Sequence, residues 1–155
     1  MTEVETPLDM AQYVGKLLGT SEWITIDQDT IDQFARLTHD NNWIHVDVER
    51  AKRELPGGRT IAHGLLTLSF VTWLGAQTYK VRQRGKGINY GSNKVRFITP
   101  VVCGARIRLH RTLEKCEPVE GAVRLTFSNV MEIEGEKRPA MVAENISMVY
   151  EKSAA

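Results

Sequence analysis

Cysteine is scarce in this chain: Cys103 and Cys116 are the only two in 155 residues, and they lie thirteen positions apart. That number and spacing fit neither a disulfide framework nor a paired-cysteine zinc site, and a reducing cytoplasm is the simpler expectation. Long hydrophobic runs are also missing. The longest apolar stretch, Leu65 to Ala76, is interrupted by Thr67, Ser69 and Thr72, so no membrane span is expected. Met1 to Asp9 is acidic and lacks the basic-then-apolar pattern of an export signal. Nor does one sign of charge dominate. Twenty Lys plus Arg against nineteen Asp plus Glu leave +1, so no global field favours DNA, RNA or an anionic membrane. Arg82, Arg84, Lys86, Arg96 and Arg106 leave a local phosphate contact open, although a solvated face is the simpler reading. With no repeat, low-complexity tract or linker, residues 1–155 read as one domain, with 1–9 and 152–155 loose.

What is present is the composition of an ordinary globular protein, long enough to bury roughly 70% of the surface its unfolded chain would expose. Met10, Tyr13, Val14, Leu17 and Leu18 have helical spacing up to Gly19, and Trp23 to Ile26 reads as a short strand. Asp29 or Thr30 can cap a helix running to Leu37, with Ile31, Phe34, Ala35 and Leu37 as its apolar face. A polar turn follows from Thr38 to Val46. Asp47 can then cap a short helix ending before Pro56-Gly57-Gly58. From Ile61 to Val81 the pattern is apolar nearly all round, as in a buried helix.

The rest supplies a sheet to cover that helix. Gly87–Thr99, Ala105–Cys116, Ala122–Ile133 and Ala140–Tyr150 alternate or carry β-branched and aromatic residues, and turn residues separate them. With the early strand, five antiparallel strands can curl around one long helix, giving an α+β fold. Such a small sheet leaves an uncovered edge, so a homodimer is expected.

Chemistry concentrates in Asp40-Asn41-Asn42-Trp43-Ile44-His45. A carboxylate that accepts protons and an imidazole that titrates near neutrality, five positions apart in a polar turn, can share one water. The plainer alternative is an Asx-type turn with a half-buried histidine. His39, Asp40, His45 and His63 could instead form a two-histidine, one-carboxylate metal set, but their spacing matches no sharp metal motif, so no metal is expected.

Context favours the acid–base reading. Thr38 to His45 resembles the signature of the MaoC-like hydratases, the hydratase 2 family: a small residue, glycine, aspartate, any residue, asparagine, proline, an aliphatic residue and histidine. Aspartate, asparagine, aliphatic residue and histidine are in place, whereas His39 replaces the glycine and Trp43 the proline. Ile61-Ala62-His63-Gly64-Leu65 resembles the start of that family's central helix, and Lys94 to Val101 its first long strand. The likeness covers roughly residues 10 to 150, and Asn89-Tyr90-Gly91 is most similar to a NodN-like branch.

The resemblance implies a hot-dog fold, a helix wrapped by an antiparallel sheet. It implies reversible addition of water to a trans-2-enoyl thioester of coenzyme A or acyl carrier protein, giving the (R)-3-hydroxyacyl product without a cofactor. Asp40 and His45 would hold the water and Asn42 would orient it or the loop. The N–H of Gly64 would face the enolate-like oxygen, unless that glycine serves helix–sheet packing. Ser92, Asn93 and Arg96 could meet the carrier, although structural roles are the simpler reading for all three. An acyl-thioester hydrolase and a non-catalytic thioester-binding module are the alternatives.

Overall fold

The computed structural model describes residues 1–151; the expectation for 152–155 falls outside them. In chain order, β1 (Thr2–Val4), a 3-10 turn (Leu8–Tyr13), β2 (Leu17–Thr20) and β3 (Ile24–Thr25) precede three short helices, α1 (Gln28–Thr38), α2 (Trp43–Val46) and α3 (Val48–Glu54). The central helix α4 (Gly64–Gly75) and β4 (Tyr79–Val81) follow, and then four long strands, β5 (Gly87–Phe97), β6 (Arg106–Val119), β7 (Ala122–Ile133) and β8 (Met141–Tyr150). The large sheet is antiparallel in the order β2-β6-β7-β8-β5, with β3 also pairing with β6. The expected helix on an antiparallel sheet is present.

Leu66, Val71 and Leu74 of α4 pack with Leu109, Met131 and Met141 of the sheet in one buried cluster. Met10, Leu113, Leu125 and Phe127 form a second cluster beneath the chain's beginning. Each strand of the β6–β8 meander alternates between this interior and the outer face, which fixes its register because a one-residue slip would expose the whole set.

Four expectations change. The N-terminal residues are not loose: β1 pairs in parallel with β4, Thr2 opposite Tyr79 and Val4 opposite Val81. No helix runs from Met10 to Leu18. The 3-10 turn ends at Tyr13, Gly15 takes a φ of +79° that favours glycine, and Leu17–Thr20 becomes an edge strand on β6. The central helix is shorter than 61–81. Ala62 N–H donates to the Val101 carbonyl before the helix begins, and Tyr79–Val81 leaves it to meet β1. On α1, Ile31 and Ala35 are buried but Leu37 is 80% exposed, and the cap is Asp27, which accepts from Thr30 N–H at 2.9 Å. Asp47 caps α3 as expected, accepting from Arg50 N–H at 2.9 Å.

Candidate active site

Helix α1 ends at His39, whose φ of 61° is left-handed and turns the chain out of the helix. Asp40, Asn41 and Asn42 then cross the surface. The Asn42 side chain accepts from the Ile44 N–H at 3.4 Å, capping the single turn of α2. That bond ties the Asn42 side chain to the backbone that follows it. One residue further, His45 points inward and is 8% exposed.

A double latch holds this turn to the segment before α4: Ile61 N–H donates to the Ile44 carbonyl at 3.0 Å, and His45 Nδ1 lies 2.7 Å from the Ile61 carbonyl. Since a carbonyl only accepts, that contact puts the proton on Nδ1 and leaves Nε2 with a lone pair. Gln28 of α1 reinforces the latch, donating to the His45 carbonyl at 2.8 Å and accepting from Thr60 Oγ1 at 2.6 Å.

His63 completes the cluster. It is 3% exposed, its ring is stacked on His45 and tilted against Phe34, and its Nε2 lies 3.0 Å from the Asp40 backbone carbonyl. The proton is therefore on Nε2. Its Nδ1 is a buried acceptor with no hydrogen-bond partner among the described residues. A nitrogen of each imidazole and a carboxylate oxygen of Asp40 lie within 4.8 Å of one another. Burial holds His45 below the ordinary histidine range, and His63 adds to this; the Ile61 hydrogen bond and Asp40 oppose it. The imidazole is thus neutral at neutral pH.

Gly64 is the first residue of α4, where a backbone N–H has no intrahelical acceptor. A Cβ there would lie 2.9 Å from the Phe97 ring, so the ring rests against a bare Cα. Packing on β5 is thus one role of this glycine, and its place at the start of α4 leaves the N–H free of the helix's own hydrogen bonds. A cavity of about 260 Å³ opens beside them, lined by His45, Gly64, Thr67, Phe97, Pro100 and Ala140. It joins a polar corner to apolar walls.

The structure brings Asp40 beside His45, and His45 and Gly64 to one cavity, while Asn42 caps α2. It does not bring Ser92, Asn93 or Arg96 there within one chain. These lie on the exposed edge strand β5: Ser92 stands opposite Asn145, Asn93 Nδ2 donates to Glu144 at 2.9 Å, and Arg96 Nη1 donates to the Val95 carbonyl at 2.8 Å. The sequence reading missed His63 as an anchor, Phe97 as a wall and Gln28 as a brace. The adjacency of His63 to Gly64 was the available signal; Phe97 and Gln28 carried none. Two imidazoles and a carboxylate at this distance would also suit a divalent cation, as the histidine–carboxylate alternative requires.

The family model for the MaoC like domain matches residues 9–134. Nodulation protein N of Rhizobium leguminosarum bv. viciae is 46% identical over 144 residues, 91% of this chain and 89% of its own. The 3-hydroxyacyl-thioester dehydratase Z of Mycobacterium tuberculosis is 44% identical over 147 residues, 94% of this chain and 97% of its own. Among solved structures, the unliganded R-hydratase of Pseudomonas aeruginosa superposes with a TM-score of 0.71 at 20% identity, over 87% of this chain and 84% of that one, a likeness of fold. With the family model spanning most of its length, the helix-on-sheet architecture and the Asp40–His45 loop in place, this chain belongs to the MaoC-like dehydratase family, a hot-dog fold.

Proposed function

We propose that this protein is an (R)-specific enoyl-thioester hydratase, adding water reversibly to a trans-2-enoyl thioester of coenzyme A or acyl carrier protein. The carrying observation is the Asp40 carboxylate within 4.8 Å of an imidazole nitrogen of His45, a residue that with Gly64 lines one half-apolar cavity. The 3-hydroxyacyl-thioester dehydratase named above, at 44% identity, supports the same reaction class.

A water between Asp40 and His45 donates one hydrogen to the carboxylate and the other to the lone pair on His45 Nε2, which points its oxygen at the substrate Cβ. As the C–O bond forms, one of the two groups takes a proton from the water. Electron density moves through Cα to the thioester oxygen, which the Gly64 N–H at the positive end of α4 meets. The proton taken from the water is then delivered to Cα, so the site returns to its starting state. His63 holds the Asp40 backbone while this happens. In the reverse direction the same groups remove water.

The edge of β5 supports a homodimer. Along it Ile88, Tyr90 and Phe97 are exposed, as are Leu65 and Trp73 of α4, an apolar surface beside an unpaired strand edge. In such a dimer Ser92, Asn93 and Arg96 would lie at the seam and could reach the carrier. Light scattering should give twice the mass of the chain, and a monomer at micromolar concentration would count against the pairing. Among the described residues no helix is long and apolar enough to cross a membrane, which fits a cytoplasmic enzyme.

The test is incubation of purified protein with crotonyl-CoA. Loss of enoyl absorbance without free thiol is the expected result. Release of thiol instead would make the protein a thioesterase, and binding without either change would make it a non-catalytic thioester-binding module.

A further inference from the structure

At the opposite end of α4 lies a second cavity, of about 390 Å³, that the hydration chemistry does not use. Its floor is Arg111, in the middle of β6 and only 6% exposed. The guanidinium donates through Nε to Asn129 Oδ1 at 2.8 Å and through Nη2 to the Val71 carbonyl at 3.0 Å, and it lies 4.7 Å over the Phe127 ring. Every partner is neutral. Among the described residues no carboxylate forms an ion pair with it. A buried charge without a counter-charge carries a large desolvation penalty. Burial pushes the Arg111 pKa down to about 10, which leaves it charged at neutral pH.

The surroundings are built around this cation. A Cβ on Gly75 would overlap the guanidinium, so the last residue of α4 has no side chain where the helix passes over it. Asn129 Nδ2 donates to Asn145 Oδ1 at 3.2 Å, and Asn145 Nδ2 to Asn89 Oδ1 at 3.3 Å, so a row of amides runs from Arg111 to the edge strand. The other ionisable side chains lining the cavity are Tyr79, Lys80 and Arg84, and no acidic one is among them. Val81, Ile88 and Val149 provide apolar wall. A positive floor, a positive mouth and greasy sides in a space at the small end of ligand cavities suit one kind of occupant.

We propose that the Arg111 cavity is a second ligand site, one that binds a carboxylate carried on a short apolar chain. The Arg111 guanidinium neutralises the carboxylate, the amides of Asn145 and Asn89 orient it, and Val81, Ile88 and Val149 enclose the stem. Inorganic phosphate would leave those apolar walls wet.

Two sources carry this chemistry: a free short-chain acid, or the far end of an acyl group that bears a second carboxylate. The second source rests on the hydratase reading and on pairing of the β5 edges. Ile88 and Asn89 line this cavity while Phe97 lines the catalytic one, so antiparallel pairing of two β5 strands would bring one copy's Arg111 cavity towards the other copy's Asp40 loop.

Calorimetric titration of the purified protein with hexanoate, hexan-1-ol and inorganic phosphate tests the site without reference to turnover. Hexanoate should bind, hexan-1-ol and phosphate at least tenfold more weakly. Arg111→Met should weaken hexanoate at least tenfold, and Arg84→Glu, at an exposed position, should also weaken it and carries the test if Arg111→Met fails to fold. Equal binding of hexan-1-ol or phosphate, no binding of hexanoate, or hexanoate binding indifferent to both substitutions would overturn the proposal. Hydration rates with crotonyl-CoA and trans-2-hexenedioyl-CoA then separate the sources. A preference for the dicarboxylic substrate that disappears in the Arg111 or Arg84 variant assigns the site to the acyl end, and hexanoate binding without such a preference assigns it to a free acid. A protein that hydrates neither thioester would sink the hydratase reading while leaving the titration result standing.

Discussion

The imidazoles of His45 and His63 stack with ring centroids 3.8 Å apart and planes 27° from parallel, and they are tethered through opposite nitrogens. His45 is fixed through Nδ1 to Ile61, His63 through Nε2 to Asp40. One ring therefore presents a lone pair to the site while the other secures the backbone of the carboxylate beside it.

That division of labour predicts how His63 variants behave. His63→Phe keeps the stack and removes the bond to the Asp40 carbonyl, so kcat should fall about tenfold to a hundredfold, an effect of misplacing a reacting group by an ångström or less. Thermal stability should change by no more than about 2 kcal/mol, the ordinary range for a lost buried hydrogen bond. His45→Ala should cost far more activity. Equal losses from both substitutions, judged by steady-state kinetics, would mean that His63 itself exchanges a proton.

The depressed His45 sets a pH dependence with a definite sign. The proposed mechanism needs the neutral ring, so the rate should be flat through neutral pH and fall on the acid side with a midpoint below the ordinary histidine value. Stability follows the same direction. Between the folded and the ordinary value the unfolded chain binds more protons, so stability rises with pH across that window. This contribution is complete above the ordinary histidine value and is lost as pH falls towards the folded one. A pH–rate profile and urea melts across the acid range, compared with His45→Gln, isolate it.

His39 and Trp43, the two departures from the family signature, have local explanations. His39 holds a φ of 61°, where the family has glycine, the residue that tolerates this region without cost. Asn42 sits at φ −56° and ψ 131°, the backbone that precedes a proline comfortably, and Trp43 opens α2 at the position where proline is favoured. The chain keeps the signature's conformation with different residues, and the Trp43 ring takes up the Arg50 guanidinium 3.9 Å away. His39→Gly should therefore preserve activity and shift stability by only about 1 kcal/mol, relief of left-handed strain being partly offset by the freer unfolded glycine. Loss of activity on that substitution would show that the imidazole of His39 takes part.

Much of this was legible beforehand, and the reasons are particular. The Asp40–His45 spacing and the Asp47 cap are local and survive in three dimensions. The limits of α4 were not readable, because Ile61, Ala62, Tyr79 and Val81 continue the apolar pattern of the helix between them, and only contacts with Val101 and β1 make them extended. Leu17 and Leu18 looked helical for a similar reason: pairing with β6, ninety residues away, overrides local spacing. The role of His63 was hidden because its partners, Asp40 and His45, meet it only after the loop folds back.

Chelation separates the water reading of this cluster from a metal one. Asp40, His45 and His63 have the composition of a two-histidine, one-carboxylate site, yet the water mechanism uses only a lone pair on His45 and the Asp40 carboxylate. Prolonged dialysis against a strong chelator should leave the hydration rate unchanged, and elemental analysis should find no stoichiometric metal. A rate that collapses and returns with zinc or iron would overturn the assignment.

Gly64 carries two roles that a pair of substitutions can separate. Gly64→Ala retains the N–H but pushes a methyl into the Phe97 ring at 2.9 Å, so kcat/KM should fall about tenfold or more through displacement of the wall and obstruction of the thioester oxygen. Phe97 is 49% exposed, so removing its ring should cost little stability by itself. In the double variant Gly64→Ala with Phe97→Ala the clash is gone while the methyl still shields the N–H. If Gly64 serves the oxyanion, the double variant melts like Phe97→Ala and stays slow. If Gly64 serves packing alone, activity returns to the level of Phe97→Ala, and the donor must be sought elsewhere at the start of α4.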